Sequence, residues 1–313
     1  MRTITRRLTV MSSVLAALLA CAQNADSNVP EHLIPDTPDG TVLAVAKGLQ
    51  DNHPEILWSA LPESYRQDIT DITHAFAEKM DPVIYDRAFA LVIRALEVLD
   101  DRKDIILASE TFKSSGADPE EFRQGLSNSQ VFTETLKSSE IATLQGLASV
   151  DWQQFLATTG AQMIEHASAN ESAGAENPLD DLESLEVETL EVNGDRAKLR
   201  IASKNHEPEE VEMVRVEGRW VPAEMADEWP QFVEDARQSL ADITPENMAE
   251  QKTQIMMLLG MADGLIEQIA SLQTPEEFDA AIGSMLAPFM GGTTMETSED
   301  TPPEALEEER EEE

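Results

Sequence analysis

Apolar side chains recur at helical spacing through most of this 313-residue chain and switch to strict alternation in one short stretch. That switch confines the fold to helices built around a single small sheet. From Glu63 to Met80 the apolar positions are Tyr65, Ile69, Ile72, Phe76 and Met80, which share one helical face. Asp81-Pro82 then supplies an N-cap and a first-turn proline for a second helix, with Ile84, Ala88, Leu91, Ala95 and Leu99 as its stripe. Asp118-Pro119-Glu120-Glu121-Phe122 opens another helix in the same way. Val131, Phe132, Leu136, Ile141, Leu144 and Leu147 fit a broken helix over 129–147, and Asp151 caps one bearing Trp152, Phe155, Leu156 and Met163.

The alternating stretch begins at Leu185 and Val187, which are interleaved with glutamates. Leu190 and Val192 resume out of phase, which places a bulge near Thr189. Asn193-Gly194 predicts a hairpin turn with both residues at positive φ. Ala197, Leu199 and Ile201 form the return strand, and Asn205-His206-Glu207-Pro208 turns the chain again. Val211 to Val216, the turn Glu217-Gly218, and Arg219-Trp220-Val221 complete a four-stranded antiparallel meander. Helical spacing returns after Trp229 with Phe232, Ala236 and Leu240. Thr244-Pro245 opens the longest helix, to about Leu272. Thr274-Pro275-Glu276-Glu277 is a capping box for a last helix carrying Phe278, Ile282, Met285 and Phe289.

The expected fold class is therefore α+β, predominantly helical, with a small four-stranded antiparallel meander between helical regions. The expected organisation is a signal peptide over 1–20, a lipidated cysteine and tether over 21–38, and a helical region over 39–168. A linker over 169–182, the meander over 183–223, a C-terminal helical region over 224–290 and a disordered acidic tail over 291–313 follow. The linker lacks large apolar side chains in SANESAGAENP, and the tail carries ten acids against Arg310 from Glu296 onward. Because its flanking helices are amphipathic, the meander is expected to pack on one of them.

Charge excludes whole classes of partner. Acids outnumber bases 61 to 22, for a net charge of −39. Nucleic-acid binding requires a basic stripe that displaces phosphate counterions, and the eight lysines are scattered from Lys47 to Lys252. Direct adsorption of the folded part to anionic lipid is disfavoured for the same reason.

The N-terminus follows a different logic. Arg2, Arg6 and Arg7 precede an apolar run from Leu8 to Ala20, and residues 1–25 contain no acid. Thirteen apolar-rich residues are too few to span a bilayer comfortably, so the segment reads as a secretory signal. It ends in Leu18-Leu19-Ala20-Cys21, and Cys21 is the one cysteine of the chain. This run resembles a bacterial lipobox, from which Leu19 departs slightly because the family prefers a smaller residue there. The resemblance implies that Cys21 receives diacylglycerol and becomes the mature N-terminus. It also implies a membrane partner through that lipid, in the bacterial cell envelope, on the periplasm-facing outer membrane. Cleavage after Ala22 by an ordinary signal peptidase is the alternative.

A second, smaller resemblance covers about a tenth of the chain. Val192-Asn193-Gly194-Asp195-Arg196-Ala197 and Val214-Arg215-Val216-Glu217-Gly218-Arg219-Trp220-Val221 resemble the closing strands of nuclear-transport-factor-2-like envelope proteins. The arrangement as a whole is similar to helix-rich bacterial envelope lipoproteins. Neither resemblance carries a ligand or a site.

No phosphate loop, dinucleotide-binding glycine run, nucleophile elbow or zinc-helix motif occurs, so no cofactor is expected. The best local cluster is Asp71, His74 and Glu78, opposite the Tyr65/Ile69/Ile72/Phe76 stripe. His74 and Glu78 have the spacing of two metal ligands on one helix face, and a solvated face explains the same residues. Seven of the 13 methionines lie between Met248 and Met295. On the longest helix Ile255, Leu258, Leu259, Ala262, Leu265, Ile266, Ile269 and Leu272 form a wide stripe that Met257 and Met261 extend sideways. Packing on both sides is the simpler source of that width, and an open face for an apolar ligand is the other. The expected function is a non-enzymatic, membrane-tethered envelope lipoprotein that binds a protein partner or apolar ligand, or acts as a scaffold. The alternative is a carboxylate-dependent hydrolase acting on envelope material.

Overall fold

The computed structural model describes residues 34–127, 129–168, 180–204 and 206–290. The signal segment, Cys21, most of the tether and linker, and the acidic tail lie outside the described residues.

The first helix, α1 (Pro38–Gln50), was not marked by the apolar pattern. Its start uses the same chemistry as later ones: Thr37 accepts the Gly40 N–H, Pro38 occupies the first turn and Asp39 follows. Pro38, which the sequence reading assigned to the tether, is buried in this helix. Asp36 pairs with Arg215 of the sheet, so the chain is part of the domain before residue 38.

α2 (Glu55–Ala60) and α3 (Glu63–Lys79) follow. The close approach of α1 and α2 depends on Gly48, where a Cβ would lie 2.6 Å from Ile56 Cγ2. α4 (Pro82–Ala108) starts as expected, with Asp81 accepting from the Val83 and Ile84 N–H groups. α5 (Glu110–Ser115), α6 (Pro119–Ser127) and α7 (Ser129–Lys137) lead to a 3-10 turn (Glu140–Ala142) and α8 (Leu144–Leu147), so the 129–147 segment is indeed a broken helix. Asp151 caps α9 (Trp152–Phe155), which continues through a π turn (Leu156–Gly160) into α10 (Ala161–Ser168).

One core gathers Trp58, Leu61, Tyr65, Ile141, Val150, Phe155 and Leu156, with Trp229 packed against it from the far side of the sheet in sequence. The indole of Trp229 stacks on Tyr65 at 4.0 Å and 7° and donates to Asp68 at 3.1 Å. The stripe expected on α4 is only partly correct. Ile84 is buried, but so are Ile93, Val98, Ile106 and Leu107, while Leu99 is exposed. α4 has neighbours on two sides, α7 and the longest helix, so its buried positions are not a single stripe. Asp100 faces α7, accepting from Gln130 at 2.9 Å and from Lys103 at 2.8 Å.

α11 (Asp180–Glu183) precedes the sheet, whose strands are β1 (Glu186–Asn193), β2 (Arg196–Ser203), β3 (His206–Val216) and β4 (Arg219–Pro222). They form an antiparallel meander in chain order. The bulge falls between Thr189 and Glu191, as the change of phase requires. The first turn differs from the expectation. Asn193 pairs with Arg196, so Gly194-Asp195 is the loop, and only Gly194 has positive φ, at 61°. Glycine at the first central position is the type II′ pattern. The two positive φ values occur instead at Glu217 (50°) and Gly218 (79°), between β3 and β4. Residue 208 also belongs to a strand rather than a turn. Pro208 sits where the register shifts between Ile201↔Glu209 and Ser203↔His206, a place where a ladder can tolerate a missing N–H.

One face of the sheet buries Ala197, Leu199, Met213 and Trp220, and Val42 of α1 packs against them. The meander thus packs on α1, which is not one of the helices that flank it in the chain, and its third and fourth strands also meet the flanking helix that begins at Ala223. Its other face is charged, with Lys198–Glu210 at 2.5 Å and Arg200–Glu188 at 2.9 Å. α12 (Ala223–Ala241), α13 (Pro245–Ser271) and α14 (Pro275–Met290) complete the chain. Thr274 accepts the Glu277 N–H at 3.2 Å. Glu277 reaches back to the Gln273 N–H at 2.8 Å, one residue ahead of the donor a capping box uses.

Candidate functional site

α13 is the place where sequence and structure disagree most usefully. Thr244 caps it through the Asn247 N–H, and Pro245 and Glu246 suit its first turn. It then runs parallel to α4. Lys252 meets Asp81 near the two N-termini at 2.5 Å. Arg94 meets Asp263 at 2.5 Å and also pairs with Glu267, and Arg102 Nε donates to the Ala270 carbonyl at 2.9 Å near the C-termini. These contacts hold one side of α13 against α4.

The rest of the helix is not enclosed by the described residues. None of its side chains is fully buried. Met257 is 57% exposed, Leu258 53%, Met261 60% and Leu265 42%. Among the described residues only the α4 side and the C-terminal end of this helix are covered, so packing of these residues on both sides does not account for the width of the stripe. At that end Ile269 and Leu272 join Ile106, Leu107, Phe112, Phe278 and Ala281 in a second core. Ile255, Leu259, Ala262 and Ile266 are half-buried along the seam.

A stripe with this composition can accept an apolar partner surface. The thioether side chains of Met257 and Met261 are unbranched and adapt to irregular shapes. Contiguous exposed apolar area of this kind marks interaction surfaces on otherwise soluble domains.

Asp71, His74 and Glu78 are all exposed on α3, and Asp71 accepts from Gln67 at 2.7 Å. Among the described residues no three His, Cys, Asp or Glu side chains converge in a way that could hold a metal ion. No described helix is long and apolar enough to cross a membrane.

Sequence reasoning missed one polar feature. A cavity of about 350 Å³ between α4 and α7 is lined by Glu97, Asp100, Asp101, Ser129, Gln130, Thr133 and Glu134. Its carboxylates come from two helices, so no linear spacing announces them. Lys103 and Lys137 already pair with Asp100, Glu97 and Glu134. Burial pushes the Asp100 carboxyl up, but hydrogen bonds from Lys103 and Gln130 more than reverse this and leave it below the ordinary aspartate range. Such a group stays ionised and does not serve as a proton donor. Glu140, whose pKa is raised by burial and by the charge of Asp151, does not line this cavity.

No family model matches the chain, and neither does any curated protein or solved structure.

Proposed function

We propose that the protein is a lipoprotein of the bacterial envelope, tethered to the membrane through Cys21. Its acidic helical domain binds a protein partner or apolar ligand and catalyses no reaction. The observation that carries the binding part is the exposure of Met257, Leu258, Met261 and Leu265 in one stripe of α13. The tether rests on the basic start, the apolar run to Ala20 and the single cysteine. Each buried methylene contributes about 0.8 kcal/mol, so two or more acyl chains hold a protein on a membrane stably while one holds it only reversibly. After removal of Arg2, Arg6 and Arg7 the mature chain carries −39 − 3 = −42, before its termini are counted. An anionic surface repels such a domain, so lipid is the force that keeps it in place.

Cell fractionation tests the tether. Wild-type protein stays with the membrane after a salt wash, and its intact mass includes lipid. The Cys21→Ser protein moves to the soluble envelope fraction or persists as a precursor. Identical partitioning of the two, with no lipid in the wild-type mass, would remove the lipoprotein assignment. The binding part is read separately, by whether an uncharged environment-sensitive dye brightens on the wild-type chain and dims when Leu258 and Leu265 are both changed to Ser.

A further inference from the structure

The open stripe of α13 does not stand alone. At 100° per residue, Ala88, Val92, Ala95 and Leu99 share one edge of α4, and Val92 and Leu99 are exposed large apolar residues. Because α4 and α13 run parallel, this edge lies on the same side of their seam as Leu258, Ala262 and Leu265. The ion pairs Arg94–Asp263 and Arg94–Glu267 lie on the opposite side. The two helices thus frame an apolar groove of about three helical turns, or roughly 16 Å, closed at one end where Leu272 and Phe278 pack on Ile106.

The two helices that frame this groove are net acidic, and Lys103, one turn beyond Leu99 on α4, is paired with Asp100. From Pro245 to Met290 the sequence holds seven acids and one base, Lys252, which is turned into the seam on Asp81. Arg94 and Arg102 of α4 are engaged by Asp263, Glu267 and the Ala270 carbonyl, and Arg87 lies near Gly260 on the ion-pair side. The exposed face of α13 reads Glu250, Gln254, Met257, Leu258, Met261, Leu265, Gln268, with no cation. A second copy of this chain would bring the same net negative charge to the contact and be repelled.

We propose that the α4–α13 groove receives an amphipathic helix of another protein, with an apolar stripe flanked by lysines or arginines. This deepens the binding reading above and rests on it. An apolar stripe laid into a two-helix groove is an established mode of helix recognition, and basic flanks complement the net negative charge of α13 and of the chain.

The test titrates the purified full-length chain, at 150 mM salt, with three 18-residue peptides. One is a Leu/Lys amphipathic helix, the second has the same composition in scrambled order, and the third carries Glu in place of Lys. The Leu/Lys helix should bind at least tenfold more tightly than either control. Leu258→Ser with Leu265→Ser should weaken it tenfold or more, with far-ultraviolet dichroism and Tm unchanged because both side chains are exposed. Met261→Lys should weaken it also, by placing a cation on the open face. Equal binding of the scrambled peptide, or no effect of the serine variant, would reduce the interaction to bulk charge and overturn the proposal. A wild-type dimer that the serine variant dissociates would overturn it in favour of a second copy. If the dye reports an open face but the Leu/Lys helix does not bind, the binding reading survives and the basic-helix proposal falls.

Discussion

The carboxylate of Glu217, in the turn between β3 and β4, accepts the backbone N–H of Ser64 at 3.0 Å, at the start of α3 and 153 residues earlier in the chain. Glu217 also has φ of 50°, a left-handed conformation that a residue with a Cβ rarely adopts. The strained turn and the helix start are therefore one feature. The turn aims the carboxylate, and the carboxylate satisfies a donor that the helix leaves free.

Variants at Glu217 separate the two effects. Glu217→Ala loses the hydrogen bond and keeps the strain, so it should lower Tm most. Glu217→Gly loses the same bond but adopts positive φ freely, and should lie between alanine and wild type. Thermal unfolding at neutral pH reads the order, and equal values for the two variants would show that the backbone conformation costs nothing.

Asp81 should make stability depend on acid. The hydrogen bond from Lys252 holds its carboxyl below the ordinary aspartate range, assisted by the Ile84 and Val83 N–H groups. A depressed folded-state pKa contributes stability that is complete above the unfolded value of about 4 and is lost as pH falls through the folded one. Asp81→Asn keeps a capping oxygen but has no charge to titrate. The stability gap between wild type and this variant should therefore shrink as pH drops from 6 towards 2.5. Asp81→Ala also loses the cap and should cost about 1 kcal/mol more. Urea unfolding across that pH range is the measurement.

Leu199 is 0% exposed under α1, whereas Val192 on the neighbouring strand is 50% exposed. Leu199→Ala should destabilise by about 3 kcal/mol, within the range for a filled core position. Val192→Ala should stay within about 0.5 kcal/mol. A small effect at Leu199 would mean that the sheet and α1 do not share one core.

Trp229→Ala removes both the stack on Tyr65 and the hydrogen bond to Asp68. It should cost about 2 kcal/mol, given that Trp229 is half-buried. Trp229→Phe keeps much of the stack and should recover about half. A Tyr65→Leu background should shrink the effect of Trp229→Ala, because the two rings report one interaction in a double-mutant cycle.

The capping residues were the most legible features of the sequence. Asp81, Asp118, Asp151, Thr244 and Thr274 all accept backbone N–H groups at the helix starts they were expected to mark. Capping is decided within four residues, so nothing distant alters it. Thr37 works by the same rule, but Val42 to Ala46 is an unbroken apolar run that shows no helical period, so α1 escaped the pattern. The Asn193-Gly194 turn moved by one residue because the ladder pairs Asn193 with Arg196.

The sequence by itself determined five helix starts, the place of the meander and its bulge, the net negative charge with its expectation of no nucleic-acid partner, and the expectation of lipid on Cys21. These depend on chemistry within a few residues or on total charge. Only the tertiary structure decided which faces are covered. The stripe of α13 is apolar for most of its circumference whether a helix encloses it or not, because periodicity records side-chain chemistry and carries no record of neighbours. Parallel packing on α4 through Arg94, Arg102 and Lys252 covers one side of α13 and leaves Met257, Leu258, Met261 and Leu265 exposed. Those ion pairs join residues 168–171 positions apart, a separation at which no local pattern could choose the partner.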